Sequence, residues 1–101
     1  MITFKKGVRV NGIKPETVLA IQIAEGVWAK QGLDLVVTSV TDSKHSQFSL
    51  HYTGYACDLR IWDLDTEKAV RDLKEALTNE YAVILEDTHI HIEFQPTYSG
   101  T

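Results

Sequence analysis

Beginning at Val18, apolar residues recur at helical spacing. Val18, Ile21, Ala24 and Trp28 lie three or four apart with Leu19, Ile23 and Val27 beside them, which predicts a helix packed on a core. Lys14-Pro15-Glu16 supplies its start, because the missing proline N–H costs nothing at the first helical position and Glu16 sits near the positive end of the dipole. Gly32 offers the stop. Burial alone accounts for the position of Trp28, so it reads as a core anchor rather than a ligand platform. A second helix follows Asp65-Thr66, with Ala69, Val70, Leu73, Ala76 and Leu77 on one face and Lys68, Arg71 and Glu75 mostly outward, a solvated charged face.

Strand patterns fill the rest. Leu33 to Val40 is β-rich, and Leu35-Val36-Val37 is a continuous apolar run suited to a strand covered on both faces. Tyr55 to Ile61 reads as another strand, and Tyr81 to Leu85 and His89 to Phe94 as two more joined by the tight turn Glu86-Asp87-Thr88. Between Thr38 and Ser49 the chain is polar and long for a loop in so small a domain, a common setting for function. The expected class is α+β: a small, mainly antiparallel sheet with two helices packed on one side and the polar loops at one edge.

At 101 residues, with no repeat, low-complexity tract or linker, the chain is read as a single domain, 1–101. A formal charge of -4 with scattered lysines and arginines argues against nucleic-acid binding, which needs a basic surface. No apolar stretch approaches a bilayer span, and Met1-Ile2-Thr3-Phe4-Lys5-Lys6 lacks the apolar segment of a signal peptide, so the expectation is cytoplasmic synthesis without a signal peptide or integral membrane segment. Cys57, the lone cysteine, reads as a small buried thiol.

Two segments carry chemistry. His51 and Asp58 are seven residues apart, which on one continuous strand would put them on opposite faces, so a turn must intervene, and Gly54 is its natural place. Ala56 would share the face of Asp58 and leave room for an ion or a substrate backbone. In His89-Ile90-His91-Ile92-Glu93-Phe94, alternation puts His89, His91 and Glu93 on one face and Ile90, Ile92 and Phe94 on the other. Two histidines at i and i+2 of a strand, joined by a histidine and a carboxylate from elsewhere, are the ligand stock expected for zinc with nitrogen and oxygen donors.

The pattern Ser49-x-His51-x-x-Gly54-x-Ala56-x-Asp58 resembles the first signature of the zinc D-alanyl-D-alanine carboxypeptidases and dipeptidases. His89-x-His91 resembles the second signature of their wider relatives, among them the hedgehog signalling domain. The stretches from Thr38 to His45 and from Val83 to Glu93 also resemble small bacteriophage and prophage members. The likeness runs from about Thr38 to Pro96 and is weak before that. It implies a hedgehog/DD-peptidase-like fold in which His51, Asp58 and His91 bind one catalytic zinc per chain. The substrate it implies is the peptidoglycan stem peptide, cut by metal-activated water. The general base is either Glu86 or His89. Glu86 stands three residues before His89 and five before His91, so a dipeptidase-like E-x-x-H spacing would make His89 the ligand, but His91 is preferred. Lys44, His45 and Ser49 are expected to contact substrate. Many relatives carry an arginine in the loop before the first motif, whereas this loop offers Lys44 and His45, either able to donate to an oxyanion or a substrate carboxylate.

The implied setting is a monomeric phage lysis enzyme (an endolysin) or virion-associated protein acting on the cell wall, as carboxypeptidase or endopeptidase. A non-catalytic zinc-containing binding or structural module is the alternative, and a metal-free phage structural domain a third. Several residues have plainer readings: His45 as a satisfied group, Lys44 as a solvated charge, and Glu93 as an exposed edge charge, the default over a role in orienting a ligand histidine. Tyr52, Tyr55 and Trp62 either line a groove or, as is commoner near strand ends, close the core.

Overall fold

A computed structural model describes residues 1–41 and 54–95. Their elements run β1 (Ile2–Phe4), α1 (Pro15–Lys30), β2 (Leu35–Ser39), β3 (Ala56–Arg60), α2 (Thr66–Leu77), β4 (Tyr81–Leu85) and β5 (His89–Phe94). The strands form one sheet in the order β1-β2-β3-β5-β4. All neighbours are antiparallel except β1 and β2, which pair in parallel through Ile2–Leu35, Thr3–Val36 and Phe4–Val37. The three-residue β1 carries too short a pattern to be read from sequence. The remaining elements follow the expected α+β plan.

Helix α1 starts with Pro15 after an extended Lys14, and its C-terminal turn closes through the Gln31 N–H to the Trp28 carbonyl before Gly32 takes a φ of 73°. Its buried stripe is Thr17, Ala20, Ile21, Ala24, Val27 and Trp28, not the wider face predicted: Val18 and Leu19 are exposed. A polar residue inside the stripe is tolerated because the Thr17 hydroxyl donates to the Gly54 carbonyl at 2.7 Å. Helix α2 is capped by Asp65, whose Oδ1 accepts from the Lys68 N–H at 3.2 Å, and it buries Ala69, Leu73 and Leu77 while Ala76 is exposed. Gln31 joins the helices, accepting from the Asp65 N–H at 2.8 Å and donating to its carbonyl at 3.2 Å.

Both helices pack on the same sheet face. Leu35, Val37, Cys57, Leu59, Ile90 and Ile92 meet the helical stripes in one core. Cys57 is fully buried, and desolvation pushes its thiol far above its usual range, so it is inert as expected. The opposite face carries the polar residues of β3 and β5. Among the described residues no helix is long and apolar enough to cross a membrane.

Gly54 sits where two segments touch. Its φ is 82°, and a Cβ there would stand 2.1 Å from the Gly12 carbonyl oxygen. Lys14 N–H and Thr17 both bond its carbonyl, so the start of α1 is tied to the residues that lead into β3. The motif glycine thus has a structural task. Gly54→Ala is expected to cost at least about 2 kcal/mol, from left-handed strain and backbone overlap. Gly26→Ala, in an exposed interior turn of α1 with nothing within 4 Å, should instead stabilise by about 0.5–1 kcal/mol. Urea midpoints of the two variants check both signs.

Candidate functional site

Register assembles the site. In the β3–β5 ladder Asp58 stands opposite His91, Arg60 opposite His89 and Ala56 opposite Glu93. Directly opposed residues in an antiparallel pair share a face, so these six side chains lie together on the side away from the helices. On β4, Ile84 and Ala82 extend the rows of His91 and Glu93. On β2 the register slips between Val37 and Ser39. The bulge at Thr38 returns Ser39 to the polar face, opposite Asp58, and the Thr38 hydroxyl donates to the Asp58 carbonyl at 3.3 Å.

Asp58 is 6% exposed, too buried for an ionised carboxylate to go unpaired. Its Oδ1 lies 2.9 Å from His91 Nδ1 and 3.6 Å from His89 Nε2. The second nitrogen of His91, Nε2, lies 2.6 Å from Glu93 Oε1, and Gln95 donates from its side-chain amide to Glu93 Oε2. One imidazole is therefore held between two carboxylates. Its pKa is raised, first by the hydrogen bond to Asp58 and further by the one to Glu93, against the lowering effect of burial. Glu93 is accordingly not an exposed edge charge: its side chain is 15% exposed and bonded to His91.

Zinc requires donors of this kind. Two atoms bound tetrahedrally at about 2.0–2.1 Å stand roughly 3.3 Å apart, so Asp58 Oδ1 and His91 Nδ1 need separate by only about 0.4 Å to share an ion. The Nε2 hydrogen bond to Glu93 is the usual way a ligating imidazole is oriented from behind. The pair fits the metal in donor type, facing and support. Alone it is incomplete: no group of three or more His, Cys, Asp or Glu side chains able to hold a metal ion occurs among the described residues. The third donor implied by the resemblance, His51, lies outside them, as do Lys44, His45, Ser49 and Tyr52.

The two candidate bases differ in placement. His89 points Nε2 toward Asp58 while its Nδ1 lies 3.0 Å from the Thr88 hydroxyl. That hydroxyl can accept from Nδ1–H or donate to bare Nδ1, so it suits either tautomer of the ring. Glu86 is exposed. Its N–H closes the turn onto the His89 carbonyl at 2.8 Å, and its carboxylate makes no hydrogen bond or ion pair among the described residues.

Three residues gain a place that the sequence reading did not give them. Asp58 meets His91 and His89. Arg60 instead lays its guanidinium over the Trp62 ring at 3.9 Å, and Trp62 is 69% exposed, so it does not close the core; Tyr55 does stack on Phe94, at 5.9 Å. Ser39 Oγ is buried and has no hydrogen-bond partner among the described residues. Strand alternation already put Arg60 on the face of Asp58, whereas Ser39 arrives there only through a bulge that no local pattern announces.

For the metal-free protein, the raised pKa of His91 fixes the sign of a pH effect. The charged ring contributes stability fully below the unfolded histidine pKa of about 6.5, and the contribution is lost as pH rises through the higher folded value. The stability gap between wild type and His91→Gln should therefore be largest near pH 6 and shrink toward pH 9. Urea titrations in chelator across that range measure it, and a gap that widens with pH would contradict the flanked imidazolium.

No protein-family model matches the chain, and no curated protein matches it either.

Proposed function

We infer that the protein is a zinc-dependent peptidase that hydrolyses peptide bonds in bacterial peptidoglycan stem peptides. The observation that carries this reading is the facing of Asp58 Oδ1 and His91 Nδ1 at 2.9 Å, with Glu93 behind the ring and His89 beside the carboxylate. A structural ion pair alone does not account for a second histidine directed at the same oxygen. The motif resemblance adds His51 as the third ligand and the stem peptide as substrate, with the wall as place of action and a phage lysis or virion-associated protein as context. One zinc per chain would supply Lewis acidity toward the scissile carbonyl and a water acidified toward pKa 7 or so.

The chain's own residues divide the remaining work. Asp58 and His91 supply the donors, and Glu93 fixes the orientation of His91 through Nε2. His89 takes the role of general base, because its Nε2 lies 3.6 Å from Asp58 Oδ1 and its other nitrogen is held by Thr88. It returns that proton to the leaving amine from the same nitrogen. Glu86, exposed at the turn, serves the site less directly. Ala56, opposite Glu93, is fully buried, so its small side chain serves packing rather than an open surface for substrate.

The test combines metal analysis with release of free amino groups from purified peptidoglycan. Wild type is expected to hold one equivalent of zinc and release amines, whereas Asp58→Ala should lose both. His89→Ala should keep its zinc and lose about 100-fold or more in kcat, the ordinary contribution of a general base, while Glu86→Gln loses much less. Zinc well below one equivalent after reconstitution would defeat the metal-based reading. Full zinc with wild type, Asp58→Ala and His89→Ala equally inert would favour the non-catalytic module. Zinc affinity should also fall on acidification, since protons compete for His91 and its raised pKa brings that competition in from higher pH than for an ordinary histidine. Affinity unchanged between pH 8 and pH 6 would contradict this.

A further inference from the structure

Strand β1 forms one edge of the sheet and, among the described residues, pairs with β2 alone. Its phase is fixed by the Leu35 N–H, which donates to the Met1 carbonyl at 3.0 Å, and by the Lys5 N–H, which donates to the Val37 carbonyl at 2.9 Å. In a parallel ladder of that phase Thr3 directs both backbone groups to β2, so the N–H and C=O of Ile2 and Phe4 point away from it. The side chains of Ile2 and Phe4 take the helix side, because they stand opposite the buried Leu35 and Val37. There they meet Val10, Ile13, Val18 and Ile21 around an open groove of about 520 Å³, in which Gln22 is the one polar lining residue among those described. Phe4, Val10 and Val18 are each at least 40% exposed, so the helices leave this end of the apolar face partly uncovered.

The charge carried by this segment has one sign. Lys5, Lys6, Arg9 and Lys14 all precede the first acidic residue, Glu16. Lys14 lies over the Tyr55 ring, whereas Lys5, Lys6 and Arg9 are exposed and form no ion pair among the described residues. Glu25 and Asp34 are both engaged by the N-terminal ammonium, at 2.9 Å and 3.4 Å. Alternation continued one residue past Phe4 carries Lys5 to the face of Thr3, away from the groove. We infer that the free edge of β1 and the groove beside it receive an extended segment of a partner protein, added as a further strand, with apolar residues on one face and acidic residues on the other. Backbone bonds to Ile2 and Phe4 set the pairing, the apolar side chains fill the groove, and the acidic face meets Lys5, Lys6 and Arg9. A second copy of this chain does not fit, because antiparallel pairing centred on Thr3 would set Lys5 of each beside the terminal ammonium of the other. The proposal needs neither zinc nor the Asp58–His91 pair.

Three synthetic hexapeptides blocked at both ends test the surface on the full chain: alternating valine and glutamate, alternating valine and lysine, and the same valines and glutamates in two blocks. Amide NMR and hydrogen exchange are the readouts. The alternating acidic peptide is expected to shift the amide signals of Phe4, Val10 and Val18 and to slow exchange at the Phe4 N–H, which the β1–β2 ladder leaves free. The lysine peptide should bind about tenfold more weakly, as for three exposed charge contacts. Replacing the cations together, by Lys5→Gln, Lys6→Gln and Arg9→Gln, should close that gap. Val18→Ser should weaken the acidic peptide while the indole signal of the buried Trp28 stays in place as the mark of an intact fold. Equal binding of the acidic and lysine peptides, or of the alternating and block peptides, would overturn the proposal. Shifts without slower exchange at Phe4 would overturn strand addition, and the same shifts produced by phosphatidylglycerol vesicles would make the face a membrane contact instead. No shift at about 1 mM acidic peptide, enough to half-fill even a weak site, would also overturn it.

Discussion

The contact between Asp58 and His91 is the constraint from which the polar side of the sheet is organised. It exists because β3 and β5 pair in a register that sets those two residues directly opposite, and a slip of β5 by one residue would turn His91 toward the helices and leave Asp58 without it. A carboxylate buried to this degree is costly unless matched, and here the match is an imidazole itself braced by a second carboxylate. The apolar side enforces the register, since Cys57, Leu59, Ile90 and Ile92 must face the core for the domain to fold at all. Packing on one face thus positions chemistry on the other.

A chain of 101 residues has a single core with which to hold any site in place. This one places both helices against one side of the sheet and leaves the opposite strand faces to polar residues. Secondary structure, rather than loops alone, then carries Asp58, His89, His91 and Glu93, which favours a preorganised arrangement. Gly54 completes the frame by accepting contact from the segment before α1, where a side chain would collide with Gly12. Within the first motif, therefore, Gly54 and Asp58 have visibly different tasks, one steric and one electrostatic.

Much of this was legible in the sequence. The bounds of β4 and β5, the proline start of α1 and the Asp65 cap followed from local patterns, and period-two alternation sorted His89, His91 and Glu93 from Ile90 and Ile92. Long-range pairing was not legible. Nothing in either segment alone says that Asp58 faces His91, that Glu93 bonds the far side of the same ring, or that a bulge carries Ser39 to Asp58. The exposure of Val18 and Leu19 had a similar origin, because hydrophobic spacing marks residues able to be buried while the neighbouring strands decide which stripe is. Trp62 escaped for the opposite reason: an aromatic near a strand end reads as core, whereas this one is exposed and stacked on Arg60.

In the proposed function one ring does two jobs: His91 offers Nδ1 to a metal beside Asp58 while Glu93 keeps Nε2 protonated. Nitrogen-15 NMR of the histidine side chains during zinc addition reads both nitrogens at once. At one equivalent, the Nδ1 resonance of His91 should lose its proton and move to the position of a metal-bound nitrogen, while Nε2 retains its proton. A His91 ring that keeps protons on both nitrogens in the presence of excess zinc would contradict the account and leave the cluster as an ion pair of the fold.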